Sequence, residues 1–345
     1  MRQGEVQTGV ALAILSGLMN GSFTLPMRYL GRWEWENVWS LFILVSCLVL
    51  PAVMFIAIDP RSFAVLAGAP SHAVIIAILT GFAWGFGAIM FGQSVSAIGI
   101  SLANTLVLAI SSALGSLLPL LILAPDQIRS VRGVTILTGI AVEIMGIGLC
   151  GWAGRLREKR KVEHAGQVRE FVGRERSMAV ALLLAIGAGT LSAVFNIGFA
   201  LAQPIARHGL AAGMSQFASV NLIWGVMLAA GSVANLGFCM YLFAKNRSWE
   251  KFRQPGASRL YALSSLMALL WGGSIFVYGM AAPRLGSLGP AIGWPLSLAI
   301  GLLLANAIGI GLGEWRQTNI DARTWMYSGI AVLLLAIVIL SRAGS

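Results

Sequence analysis

The sequence predicts an all-α integral membrane fold of ten transmembrane helices, arranged as two inverted five-helix repeats. Three observations carry this. Apolar residues arrive in ten long uninterrupted runs, one hydrophilic stretch divides those runs five and five, and particular residues recur at fixed spacing in the two halves. Of the 345 residues 57% are hydrophobic and 11% charged, against roughly 25% charged in a soluble domain. Water is not the solvent around most of this chain.

A bilayer core about 30 Å thick needs about 20 apolar residues of helix, with every backbone polar group satisfied inside the segment. The runs that meet this test are Thr8 to Met27, Val38 to Ile58, His72 to Ser94, Ile98 to Ala124 and Gly133 to Ala153 in the first half. Met178 to Ala202, Gln216 to Phe243, Leu260 to Ala282, Gly286 to Leu312 and Trp325 to Leu340 meet it in the second. Residues 1–153 are thus the expected first repeat, 154–177 a basic cytoplasmic linker and 178–345 the second repeat. The first run follows a short stretch with one Arg and one Glu and lacks a clear cleavage site. It reads as a retained helix and not as a signal peptide.

Lys and Arg are retained on the cytoplasmic side of membrane proteins. The connections after odd-numbered helices hold 17 of the 24 basic residues, eight of them between Arg155 and Arg176, and the other side holds 7. Both termini are therefore expected outside the cytoplasm of a bacterial-type inner membrane. The net charge of +11 is explained by this topology, since the basic residues are not interleaved with aromatics on a polar face as nucleic-acid binding requires.

Leu15, Ser16, Asn20, Phe23 and Leu25 in helix one recur as Leu191, Ser192, Asn196, Phe199 and Leu201 in helix six, all 176 positions later. Trp84-Gly85, Phe91-Gly92 and Gly99 in helix three recur as Trp271-Gly272, Tyr278-Gly279 and Gly286 in helix eight, 187 positions later. With five helices per half, the second copy enters the membrane upside down, which is the architecture of alternating-access carriers.

Helices one, three, six and eight hold these repeated polar and aromatic residues, so a central cavity between them is the natural place for a ligand. Asn20 and Asn196 offer amide donors and acceptors to hydroxyl groups, or else to a neighbouring helix. Trp84 and Trp271 present flat faces suited to the C–H face of a sugar ring, with Phe91, Tyr278 and Trp294 as further walls; packing between helices is the other use of such rings. Glu143 is the lone carboxylate in its run, where a charge at the bilayer centre costs about 2.5 to 3.5 kcal/mol. It either exchanges a proton as its surroundings open and close or stays protonated against a neighbouring helix. Gln93, Ser94, Asn104, Thr105 and Gln203, near helix ends or within helix four, either line an access path or hydrogen-bond backbone carbonyls, and are assigned to the second.

Other chemistry has no footing. His72, His164 and His208 lack metal-site spacing, and Cys47, Cys150 and Cys239 sit in apolar runs as small hydrophobes. No nucleophile with base and orienter, and no glycine-rich nucleotide loop, is visible, so an enzyme or an ATP-driven pump is not expected. No cofactor is expected either.

The segment Trp33-Glu34-Trp35-Glu36-Asn37-Val38-Trp39-Ser40, the stretch from Trp84-Gly85-Phe86-Gly87 to Gly99-Ile100-Ser101, Asn235-Leu236-Gly237-Phe238-Cys239, and Glu314-Trp315 together resemble the L-rhamnose-proton symporter family. That family lies within the drug/metabolite transporter superfamily of ten-helix inverted-repeat carriers. The resemblance implies uptake of a deoxyhexose driven by a proton gradient. The chain departs from the family pattern in carrying Ala88 and Met90 where the family has Asn, and Gly289 to Leu296 where it has acidic and histidine residues. Glu143 has no counterpart in that pattern.

The expectation is a secondary active transporter, a proton symporter for L-rhamnose or a related monosaccharide, with the bilayer, the sugar and the proton as its partners. The expected substrate-binding residues are Asn20, Trp84, Asn196, Trp271, Tyr278 and Trp294, and the expected proton-coupling residue is Glu143. The competing expectations are a drug or metabolite exporter of the same superfamily and, from another class, a non-transporting receptor or scaffold.

Overall fold

A computed structural model describes residues 3–98, 100–165, 178–316, 318 and 320–344. Helix dominates, and no strand occurs among the described residues. Among the described residues ten helices are long and apolar enough to cross a membrane: α1 (Gly4–Met27), α2 (Trp35–Ile58), α3 (Ser71–Val95), α4 (Leu102–Leu123), α5 (Val131–Arg157), α6 (Met178–Ala211), α7 (Gln216–Asn246), α8 (Ala257–Arg284), α9 (Gly286–Gly311) and α10 (Ile320–Ala343). The protein is a multi-pass membrane protein. The α5 helix runs on from the expected end at Ala153 as far as Ala165, so the first part of the basic connection is helical. The rest of that connection, 166–177, lies outside the described residues.

The helices pack by exchange between the halves. The first helix of each half lies against the third and fourth of the other: α1 packs on α8 and α9, and α6 on α3 and α4. The fifth helices, α5 and α10, pair with each other. Small residues allow the close approaches. A Cβ on Gly21 would stand 2.4 Å from the Gly301 carbonyl, and one on Gly85 at 2.4 Å from that of Gly231. Two apolar cores result, one mainly of α2, α3, α6, α7 and α8 and one mainly of α1, α4, α5, α9 and α10. Each draws on both halves.

Side-chain contacts extend the repeat to helices where the sequence showed none. Ser16 and Ser297 share a hydrogen bond of 3.0 Å, and Ser192 and Ser111 one of 2.9 Å. Since Ser192 follows Ser16 by 176 positions, Ser297 is the counterpart of Ser111 at a spacing of 186. The same spacing takes Gly115, which lies against Ala193, to Gly301, which lies against Gly17. Gly146 lies against Leu333 and Gly329 against Cys150, which relates α5 to α10 at a spacing of 183.

Two features interrupt α2. A π-helical turn spans Leu44–Val49, followed by Pro51, whose ring nitrogen has no hydrogen to donate to the preceding turn. At the end of α7, Arg247 adopts a left-handed conformation, φ 51°, which a non-glycine residue holds only where its neighbours fix it.

Candidate functional site

The bundle has two distinguishable ends. The basic end carries the connections 28–34 and 247–256, and the far end carries 59–70, 124–130 and 285–288. Between them a continuous run of aromatic rings crosses the molecule. From the basic end Trp35 stacks on Trp39 at 5.2 Å, Trp39 meets Phe42 at 4.9 Å, and Phe42 meets Trp271 at 5.5 Å. Trp271 stacks on Trp84 at 5.2 Å with the planes only 12° apart, and Trp84 stacks on Phe195 at 4.8 Å. Phe195, Trp224 and Phe199 continue to Tyr278, which meets Trp294 edge to face at 5.5 Å. Trp84 and Trp271 are repeat partners, and they meet each other directly. Only the edges and flanks of these two rings are free of the stack, and a position between them requires the stack to part.

Toward the far end α4, α6, α8 and α9 are bound to one another. Asn196 is fully buried, donates to the carbonyls of Gly115 (2.7 Å) and Pro290 (3.1 Å), and accepts from the Tyr278 hydroxyl at 2.5 Å. Trp294 donates from Nε1 to Ser111, the carbonyl and the hydroxyl both at 3.3 Å. Four helices, α4, α6, α8 and α9, are thus tied by one amide and two aromatic donors. The residues Gly289 to Ile300 are buried without exception. Toward the basic end several positions of α1, α3 and α4 are less buried: Asn20, Met90, Phe91, Gln93, Asn104 and Thr105 are half-buried, although Ser94 and Ala103 beside them are buried, as are Glu36, Asn37 and Val38 at the start of α2. Asn20 thus stands in a different setting from its repeat partner.

Glu143 of α5 is fully buried and accepts a 2.6 Å hydrogen bond from Ser112 of α4. Its Oε1 makes no hydrogen bond, and neither does the buried Ser116 hydroxyl one turn along α4. Ser112 is the chain neighbour of Ser111, so the carboxyl is joined through one turn of α4 to the residues that seal the far end. Among the described residues no group of His, Cys, Asp and Glu is arranged to hold a metal.

The tryptophan-rich segment opening α2 proves to be a clasp. Glu36, 2% exposed, accepts from Asn246 (2.9 Å) and from the Ser248 hydroxyl (2.5 Å). Asn37 donates to the Ser248 carbonyl, Trp33 to that of Lys251, and Lys251 pairs with Glu34 at 2.5 Å. Arg247 is held left-handed between two residues that both bind Glu36. Asn235 performs a similar service at membrane depth. It accepts from Trp39 Nε1 at 2.9 Å and donates to the carbonyls of Gly85 and Gly231. None of Trp39, Phe42, Phe195, Phe199 or Trp224 is marked as a site residue by the sequence alone, although Phe199 repeats Phe23 and Trp39 belongs to the tryptophan-rich segment. A signal existed for one pair: Trp39 and Trp224 are 185 positions apart, the spacing that also relates the Ser46 carbonyl, against Gly272, to the Gly231 carbonyl, against Gly85.

Comparison with known proteins gives a consistent picture. A family model for the L-rhamnose-proton symport protein matches residues 4–344. Proteins named L-rhamnose-proton symporter from Shigella sonnei, Shigella flexneri and Escherichia coli (strain 55989 / EAEC) are each 24% identical over 338 residues, covering 96% of this chain and 96% of theirs. A solved crystal structure of a protein aligns with a TM-score of 0.58 at 16% identity, over 96% of this chain and 98% of that one, a likeness of fold alone. Matched from one end of the described helices to the other, the chain belongs to the L-rhamnose-proton symport protein family.

Proposed function

We propose that this chain is a secondary active transporter that carries L-rhamnose, or a closely related monosaccharide, together with a proton by alternating access. The observation that carries the reading is the family match over residues 4–344. The exchanged packing of the halves and the hydrogen-bonded closure of α4, α6, α8 and α9 toward the far end support it, since a carrier of this kind opens to one side at a time. In this reading the sugar enters from the relaxed end, rests against the flanks of Trp84 and Trp271, and is held by the Asn20 amide. Asn196, Tyr278 and Trp294 form the floor that closes the far side and contact the sugar when that side opens. Glu143 takes up the coupling proton, with Ser112 as the partner that registers its state. The basic end faces the cytoplasm, and both termini lie outside it.

The test is uptake into proteoliposomes. L-Rhamnose should accumulate under an inward proton gradient and leak out when a protonophore collapses it. The aromatic centre equally suits a flat apolar solute. Proton-driven movement of such a solute, with neither flux nor thermal stabilisation by L-rhamnose, would replace the sugar reading with drug or metabolite export. A saturating ligand at 100 times its Kd adds about 2.7 kcal/mol, so binding is visible even if flux is slow. Absence of flux for every solute would leave a receptor or scaffold. Orientation is read separately. A reporter active only in the cytoplasm should work when inserted between Gly154 and Ser177 and be silent after Ser345, and the opposite pattern would invert the topology.

A further inference from the structure

The far-end seal is built from residues that all have partners in the other half, so the repeat spacings specify a second seal that the present conformation does not close. Asn196 corresponds to Asn20 at a spacing of 176, Gly115 to Gly301 and Pro290 to Asn104 at 186, and Tyr278 to Phe91 at 187. Trp294 corresponds to Leu108, again at 186. These spacings rest on paired contacts, and Asn20 already lies beside Gly301. The Asn20 Nδ2 lies 3.6 Å from where a Cβ on Gly301 would stand. Asn104, Phe91 and Leu108 are half-buried at the same end, whereas Pro290, Tyr278 and Trp294 are buried. Glycine packing tells the same story. A Cβ on Gly279 would stand 2.5 Å from Trp224, but one on its counterpart Gly92 would meet nothing nearer than Trp35 at 3.8 Å.

We propose that Asn20 is the bolt of a second seal that closes the basic end, its amide donating to the main-chain carbonyls of Gly301 and Asn104, and that Phe91 and Leu108 keep this seal weaker than its twin. Phe91 has no hydroxyl to give to Asn20, and Leu108 has no N–H to give across to α9. The seal at the basic end therefore lacks the two aromatic donors of the seal at the far end. The protein without substrate accordingly rests with the basic end open, and Phe91 is a positioning residue that sets the balance between the two states. This rests on the alternating-access reading, but not on the identity of the solute.

The experiment needs no substrate. Cys47, Cys150 and Cys239 are replaced by Ala, a cysteine is introduced by Ala291→Cys in the buried start of α9, and maleimide labelling of the purified protein is timed. Ala291 is 1% exposed, so labelling proceeds only through the state in which the far end is open. Phe91→Tyr adds one hydrogen bond to the basic-end seal and should speed labelling at the far end roughly fivefold. A purely local effect at Phe91 does not reach α9, so an unchanged or slower rate overturns the proposal. Leu288→Cys, at a position 2% exposed, is the second probe if Ala291→Cys does not fold. A protein that responds to Phe91→Tyr yet binds and moves no L-rhamnose would sink the substrate reading and keep the seal.

Discussion

At the far end of the bundle one asparagine and one tryptophan are bound to main-chain carbonyls and a hydroxyl, with one tyrosine donating to the asparagine amide, and at the basic end their counterparts are an asparagine, a phenylalanine and a leucine left half-buried. The backbone plan of the two ends is the same, as the paired Ser16–Ser297 and Ser192–Ser111 bonds show. The hydrogen-bonding groups hung on that plan differ. A symmetric scaffold gives two equivalent conformations by construction, and substitutions at a few repeat positions then choose which is populated. The comparison extends to α5 and α10. Glu143 corresponds to Met326 at the spacing of 183, and its partner Ser112 to Leu298 at 186; Met326 is 2% exposed and Leu298 8%. One half carries a carboxyl with a hydroxyl where the other is wholly apolar. Whatever that pair does is done once per transporter.

The largest effect expected from breaking this difference is at Glu143. Gln keeps the shape and accepts the Ser112 hydrogen bond at its carbonyl, but it exchanges no proton. Glu143→Gln should abolish gradient-driven accumulation altogether, while exchange of labelled for unlabelled sugar at equal concentrations continues, because exchange requires only that the loaded carrier reorient. Both are measured in the same proteoliposomes. Retained, pH-dependent accumulation in the Gln variant would make Glu143 a structural member of the α4–α5 interface and move the proton elsewhere.

Legibility in the sequence followed the same asymmetry. The ten spans and their five-plus-five division were readable because apolar length is a nearly sufficient signal in a bilayer. The repeat was readable where polar or aromatic residues recur in both copies, at Asn20 and Asn196 or Trp84 and Trp271. It was not readable in α4 and α9 or α5 and α10. There the shared features are single serines and glycines in Gly-rich, Leu-rich helices, and only contacts in space separate them from background. The aromatic run was not legible for a related reason: Phe195 and Phe42 are ordinary apolar residues at membrane depth until packing lines them up. The clasp was visible only as a motif. That Glu36 is buried against Asn246 and Ser248 depends on two segments about 210 positions apart, and no local pattern encodes such a meeting.

A second prediction sharpens the contrast between the two asparagines. Asn196→Ala removes three hydrogen bonds at once and leaves the Gly115 and Pro290 carbonyls and the Tyr278 hydroxyl buried with one partner fewer. At about 0.6 kcal/mol for an average interhelical bond, and up to about 1.7, the loss is about 2 kcal/mol of stability. Asn20→Ala touches a half-buried residue and should change stability by less than about 0.5 kcal/mol, while weakening sugar binding. Denaturation in detergent, paired with ligand-induced thermal shifts, distinguishes them. Equal destabilisation by both variants would mean that the two ends are closed alike.

The smallest effect tests the same contrast by volume alone. Gly279 and Gly92 are repeat partners, and each sits where an aromatic ring from the neighbouring α7 or α2 approaches. At Gly279 an added Cβ would stand 2.5 Å from Trp224 Nε1 and 2.9 Å from its Cδ1, and Trp224 is fully buried. The ring cannot retreat without disturbing Phe199, stacked on its face at 4.4 Å. Gly279→Ala should therefore cost about 1 to 2 kcal/mol, the ordinary penalty of overpacking. At Gly92 the same methyl lies 3.8 Å from Trp35, an ordinary van der Waals distance, and Ala is the better helix former by about 1 kcal/mol. Gly92→Ala should leave the resting state unharmed or slightly steadier. Its cost appears only when the basic end closes and α2 is brought onto α3 as closely as α7 lies on α8. Transport turnover should then fall although thermal stability does not. Intact turnover in Gly92→Ala would show that the basic end never packs as tightly as the far end, so that the two seals differ in geometry as well as in hydrogen bonding.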